Sequence, residues 1–147
     1  MSIVVFHNGI LAGDSLVTQG DMIIGSAPKV FETEWGAWGA VGPLELIDKA
    51  KKWATHRTKP DEINTPEFDL ISVECYDDKL NVWHFCDEGK CQYDPMKGIA
   101  IGSGAPVAYG ALQLGASAVE AVEAACNVMV NCGGPIVSFD LNEHMGG

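Results

Sequence analysis

The chain has 147 residues, 47% of them hydrophobic and 20% charged, and its 20 acidic against 9 basic side chains give a formal charge of -11. A chain of this length buries roughly two-thirds of the surface its unfolded form exposes, which excludes a disordered polymer and makes one domain over 1–147 the expectation. With no clustered Lys/Arg run to attract phosphate or anionic lipid, neither nucleic acid nor a membrane surface is expected as a partner.

The opening MSIVVFHNG has neither a basic start nor an apolar stretch of signal length, and no run of about 18 apolar residues follows, so a cytoplasmic location is expected. Ile3 to Phe6 are β-branched or aromatic, and Asn8-Gly9 is a strong hairpin signal before Ile10 to Ala12. Met22 to Ile24, Lys29 to Phe31 and Trp38 to Val41 add short strands between glycines and Pro28. From Pro43 the period changes to helical, with Leu46, Ile47, Ala50, Trp53 and Ala54 on one side and Glu45, Asp48, Lys49 and Lys52 on the other.

Thr58 to Pro66 is a polar connector with two prolines. Ile71, Val73 and Cys75 then alternate as a half-buried strand, Asp77-Asp78 turns the chain back into Leu80 to Phe85, and Asp87-Glu88-Gly89 makes another turn. Gly98 to Ile101 is a short strand that leads into Gly102-Ser103-Gly104. Alanine-rich helices are expected over Ala105 to Leu114 and Ala118 to Cys132, the second opened by the capping box Ser117/Glu120 and striped by Glu120, Glu123, Asn127 and Asn131. Gly133-Gly134-Pro135 stops it, and Ile136 to Phe139 form a last strand. Segregated strands and helices of this order favour an α+β fold with antiparallel sheets covered by helices.

The five cysteines, Cys75, Cys86, Cys91, Cys126 and Cys132, are an odd number at irregular spacings and are expected as reduced, mostly buried thiols. His84, Cys86 and Cys91 are close enough together to suggest a metal site, but a fourth ligand at plausible spacing is missing, so no metal and no cofactor are expected. His7, His56 and His144 show no spacing that marks a hydrolytic triad.

Ser2 follows the initiator methionine, and its small side chain is compatible with removal of Met1. A free N-terminal serine carries a nucleophilic hydroxyl together with an α-amine, of ordinary pKa about 7.7 to 8.0, that can act as its base. Ala12-Gly13-Asp14 with Thr18, Lys29-Val30, Gly39-Ala40-Val41-Gly42 and Ala100-Ile101-Gly102-Ser103-Gly104 together resemble the pattern of proteasome β-type subunits, most closely the bacterial HslV peptidases. The resemblance covers nearly the whole chain.

It implies a four-layer αββα sandwich of two antiparallel sheets and an N-terminal-nucleophile peptidase acting on a peptide or unfolded-protein substrate. Ser2 is then the nucleophile, Lys29 an electrostatic partner of the α-amine, and Asp14 the carboxylate that compensates Lys29. A symmetrically shortened hairpin would let Ser2 face Asp14 across the strands. A backbone N–H near Gly39 is the expected donor to the carbonyl oxygen, and Ser103 resembles the family's hydroxyl near the amine, although a helix N-cap is an equal reading. Thr18 would align the substrate as an added strand, with Val17, Ala27 and Phe31 lining an apolar pocket. The partners implied are a homo-oligomeric ring and an ATPase unfoldase.

Three features depart from the family pattern. Ser stands in place of the usual Thr, Met1 must be removed, and the short connector replaces a second long helix. An inert proteasome-like assembly or binding module is therefore the alternative.

Overall fold

The computed structural model describes residues 2–19, 22–55, 69–86 and 89–144. Met1, His56, the connector Thr58 to Pro66 and the turn residues Asp87 and Glu88 lie outside the described residues. No helix among the described residues is long and apolar enough to cross a membrane.

The order begins β1 (Val4–His7), β2 (Ile10–Gly13), β3 (Leu16–Gln19), β4 (Met22–Ser26), β5 (Val30–Glu32), β6 (Gly36–Val41) and α1 (Leu44–Thr55). It continues with β7 (Asp69–Tyr76), β8 (Lys79–Cys86), β9 (Gly89–Tyr93), β10 (Ile99–Ile101), α2 (Ala105–Gln113), α3 (Ala118–Val128) and β11 (Val137–Asp140), and a 3-10 turn covers Leu141–His144. The fold is α+β. Its strands form three antiparallel sheets, ordered β10-β1-β2-β11, β3-β4 and β5-β6-β7-β8-β9.

Alternation along the strands decides what packs where. Val4, Phe6 and Leu11 meet Val30, Ile71, Val73 and Val82 between the four- and five-stranded sheets. Their neighbours Ile3, Val5 and Ala12 turn the other way, onto Ala108, Ala121, Val122 and Ala125 of α2 and α3. Trp38, Leu70 and Phe85 cover the far face of the five-stranded sheet against Ile47, Ala50 and Ala54 of α1. Both faces of β1 are thus buried, each such side chain contributing about 1.5 to 3 kcal/mol relative to exposure.

The Asn8-Gly9 turn has φ of +51° and +80°, and Asp77-Asp78 has +52° and +58°, the left-handed pairs that match the twist of two-residue hairpins. The capping box is complete: Glu120 N–H donates to Ser117 Oγ at 3.1 Å, and Ser117 N–H donates to Glu120 Oε1 at 2.9 Å. Two expectations need correction. The strands β3 and β9 were not anticipated, and α3 ends at Val128 rather than Cys132, which leaves Asn131 off its polar stripe. Met129 turns to φ -97° and ψ 123°, so that the chain can carry Gly133 back to the start of β3.

Candidate active site

The site is built where β2 hands over to β3. Both Ser15 N–H and Leu16 N–H donate to the Gly133 carbonyl at 3.0 Å, and Ser15 Oγ donates to the Pro135 carbonyl at 2.6 Å. Those bonds fasten the crossing from the four-stranded sheet to the β3-β4 ribbon. At its start Asp14 is wholly buried, its Oδ1 accepting from Ile3 N–H at 3.2 Å and its Oδ2 from Gly133 N–H at 3.0 Å.

Lys29 reaches the same place from the residue before β5. It is 3% exposed, its Nζ donates to the Leu16 carbonyl at 2.7 Å, and it stands 4.0 Å from Asp14 Oδ1. Burial pushes the Asp14 carboxyl above its ordinary range, against the pull of the Gly133 N–H, the Lys29 charge and the Ile3 N–H. Burial likewise holds the Lys29 ammonium below the ordinary lysine range, with Asp14 opposing the shift.

Ser2 is 2% exposed and its backbone is set by close contact. Its carbonyl accepts from Gly104 N–H at 3.4 Å, and Gly102, at φ +105°, passes so close that an added Cβ would strike that carbonyl oxygen. The strand register places Val4 opposite Gly13, which puts Asp14 beside Ile3 rather than across from Ser2. The facing of Ser2 and Asp14 across the hairpin is therefore not what the fold makes; a cavity brings Ser2 and Lys29 together instead.

That cavity has a volume of about 340 Å³ and is lined by Ser2 and Lys29, by Leu16, Val17, Thr18 and Gln19 of β3, by Ile24, by Gly42-Pro43, and by Leu44 and Ile47 of α1. Of the four residues expected to bind substrate, Val17 and Thr18 line this cavity. Ala27 and Phe31 do not line it. Ala27 N–H donates to the Ser15 carbonyl at 2.7 Å, and Phe31 lies on the opposite side of β5 from Val30, packed toward α1 with Lys51 Nζ 5.9 Å from its ring centre.

The expected donor near Gly39 is also corrected. Gly39 lies inside the five-stranded sheet, paired with Val30 and Ile71, and Ala40 N–H donates to the Lys29 carbonyl at 2.9 Å. A Cβ at Gly39 would lie 2.6 Å from Val4 Cγ1, so the glycine serves close packing of the two sheets. Gly42, at φ +143°, is the glycine on the cavity; in the sequence it closes the Gly39-Ala40-Val41-Gly42 segment and precedes Pro43 at the helix start.

Ser103 is not an N-cap, since Gly104 occupies that position without a side-chain bond. Its Oγ is buried with no hydrogen bond of ordinary geometry, although it lies close enough to Cys132 to help hold that thiol down. Burial, with the Asp14 charge, nevertheless raises Cys132 overall, and the same two causes push Cys126 up to about 11. The Leu16 carbonyl, the Gly133 N–H and Cys132 complete the surroundings of the pair. Spacing could not reveal them, because two are backbone groups and the third comes from the far end of the chain.

No family model and no curated protein matches this sequence. Among solved structures it is similar to Thiobacillus denitrificans BPH in complex with epoxomicin, with a TM-score of 0.67 and 16% identity, covering 95% of this chain and 98% of that one. A second structure of Thiobacillus denitrificans BPH gives a TM-score of 0.68 at 16% identity, covering 95% of this chain and 97% of that one. At this identity the likeness is one of fold.

Proposed function

We propose that the chain is a proteasome-like peptidase of the N-terminal-nucleophile type, with the αββα layering of that class, in which Ser2 becomes the nucleophile once Met1 is removed. The observation that carries this reading is the shared cavity. Ser2, the only hydroxyl at the chain start, opens with a buried lysine onto a space walled by a strand edge. A buried ammonium held below its ordinary range and opening onto the same space as a hydroxyl is the kind of perturbed group that clusters at functional sites. The fold likeness to a protein crystallised with epoxomicin, a proteasome inhibitor, supports the same reaction class.

In this mechanism Ser2 Oγ attacks the substrate carbonyl carbon, and the α-amine, directly or through water, takes the hydroxyl proton. The Lys29 ammonium favours the neutral amine by like-charge repulsion, while Asp14 and the Leu16 carbonyl hold Lys29 in place. Gly42 N–H is the candidate donor to the developing oxyanion, a role usually worth about 3 to 4 kcal/mol. The substrate lies extended along Thr18, and its side chain enters the apolar wall formed by Val17, Ile24 and Ile47. In this reading Ser103, between the two glycines that approach the Ser2 carbonyl, is the hydroxyl near the amine. A homo-oligomeric ring fed by an ATPase unfoldase belongs to the same reading, as does a cytoplasmic location.

The test is intact mass before and after a peptide epoxyketone, with peptide mapping of the adduct. Loss of Met1 and an adduct on Ser2 are expected. A free Ser2 that never reacts, with no peptide cleavage, would reduce the protein to an inert module of the same fold.

A further inference from the structure

The mixed donor set on the five-stranded sheet is not used by the proposed peptidase chemistry. Asp69 opens β7 across from Cys86, and Ile71 of β7 lies across from His84, so the β7-β8 register puts Asp69, His84 and Cys86 on one face. Their ligand atoms all lie within 4.8 Å of one another. His84 Nε2 stands 3.4 Å from Asp69 Oδ1 and is itself buried without a hydrogen-bond partner. An aromatic edge fixes the imidazole, whose centre is 6.0 Å from that of Tyr93 at an interplanar angle of 67°.

The sequence supplies His84, Cys86 and Cys91 but no fourth ligand; the sheet supplies Asp69 from a strand that precedes them. On the other side, the β8-β9 pairing places the exposed Cys91 directly opposite His84, and therefore on the same face, with its sulfur outside the group of three, so that closure requires it to turn inward on binding. Nitrogen, sulfur and carboxylate oxygen together match a borderline-soft divalent ion such as zinc rather than magnesium or calcium. Around zinc, bond lengths of about 2.0 to 2.3 Å at the tetrahedral angle set donors about 3.3 to 3.8 Å apart, the spacing that His84 and Asp69 already have. Partial exposure of His84 and Asp69, 18% and 39%, leaves an ion a way in from solvent.

We propose that Asp69, His84 and Cys86, with Cys91 closing the fourth position from β9, form a zinc-type site that clamps β7, β8 and β9 together. Binding replaces the cysteine thiol protons, which leave to solvent, by metal–sulfur bonds. None of the four residues lines the catalytic cavity. The clamp nevertheless lies near it, because Asp69 pairs with Val41, the residue before Gly42. The site does not depend on the peptidase reading.

The experiment uses the full chain, stripped by a chelator and then titrated with Co2+ and with Zn2+. One ion per chain is expected, with thiolate-to-cobalt charge-transfer absorption, strong four-coordinate ligand-field bands, and displacement of cobalt by zinc. His84→Gln, Cys86→Ser and the partly exposed Asp69→Asn are each expected to weaken affinity by more than the roughly 10- to 100-fold that an outer-sphere change costs. Cys91→Ser should remove about half of the thiolate intensity, as expected for one of two sulfur donors. Circular dichroism of each variant separates lost ligation from lost folding. Failure of the folded wild-type chain to bind either ion, or binding indifferent to His84→Gln and Cys86→Ser, would overturn the site. A Cys91→Ser spectrum identical to wild type would overturn closure from β9.

Discussion

Lys29 Nζ is bound more closely by the neutral Leu16 carbonyl, at 2.7 Å, than by the charged Asp14 Oδ1, at 4.0 Å. The carbonyl sets where the ammonium points, and the carboxylate offsets the cost of burying it. This division leaves the ammonium on the cavity rather than locked in a two-sided ion pair.

Removing either charge should therefore unmake more than a contact. Lys29→Met and Asp14→Asn are each expected to destabilise the fold by about 3 to 5 kcal/mol in urea unfolding, because each strands a buried partner. Lys29→Met should also lower turnover, by roughly 10² to 10⁴-fold if the amine is a general base that Lys29 keeps neutral.

The pH dependence of stability has opposite signs for the two groups. The raised Asp14 value gives a contribution fully present below its ordinary value of 3.8 and lost as pH rises through the native value. The lowered Lys29 value gives a contribution present above 10.5 and lost as pH falls through the native value. In Lys29→Met the Asp14 loss should extend to higher pH than in the wild-type chain, since the cation that lowered it is gone. Urea midpoints measured across the pH range check both directions.

Two glycines separate packing from chemistry. Gly102→Ala forces a side chain into left-handed backbone and against the Ser2 carbonyl, so about 1 to 3 kcal/mol of stability should be lost and, on the proposed peptidase reading, peptide cleavage with it. Gly39→Ala pushes on Val4 Cγ1 instead, and a similar cost of about 1 to 3 kcal/mol is expected without loss of cleavage per folded molecule. Titration of active sites with the epoxyketone, compared with urea midpoints, distinguishes these outcomes.

Ser117→Ala removes the side-chain acceptor at the start of α3 and should cost about 1 kcal/mol, within the range of N-cap losses. Cleavage and probe labelling should be unchanged, which makes this variant a stability control far from Ser2.

The parts of the fold legible in the sequence are those encoded by neighbours. Asn8-Gly9, Asp77-Asp78 and the Ser117/Glu120 box each specify their conformation within a few residues. The strands β3 and β9 escaped because Leu16–Gln19 and Gly89–Tyr93 carry little apolar alternation; β3 is held by β4 and the Gly133 loop, and β9 by its ladder with β8. Helix α3 ended early for a similar reason: apolar Met129 and Val130 continue past Val128 and nothing local stops the helix before Gly133, but Gly133 has to reach Asp14. Of the candidate site, Asp14, Thr18 and Lys29 were marked by motif and Ser2 by its place after Met1. The separation of Gly39 from Gly42 was not, because it depends on which of two glycines falls between paired strands.

The bonds that shape the cavity join residues far apart along the chain. Gly133 meets Asp14 across 119 positions and Pro135 meets Ser15 across 120, while Gly102 and Gly104 hold Ser2. Closing such loops costs entropy before any contact repays it. A chain still emerging from the ribosome has no Gly133 to fix the Asp14 turn and no Gly102 to position Ser2. On the proposed peptidase reading, the surroundings of Ser2 form only after the stretch from Gly102 to Pro135 has been made, so the fold itself would withhold activity from a shorter nascent chain.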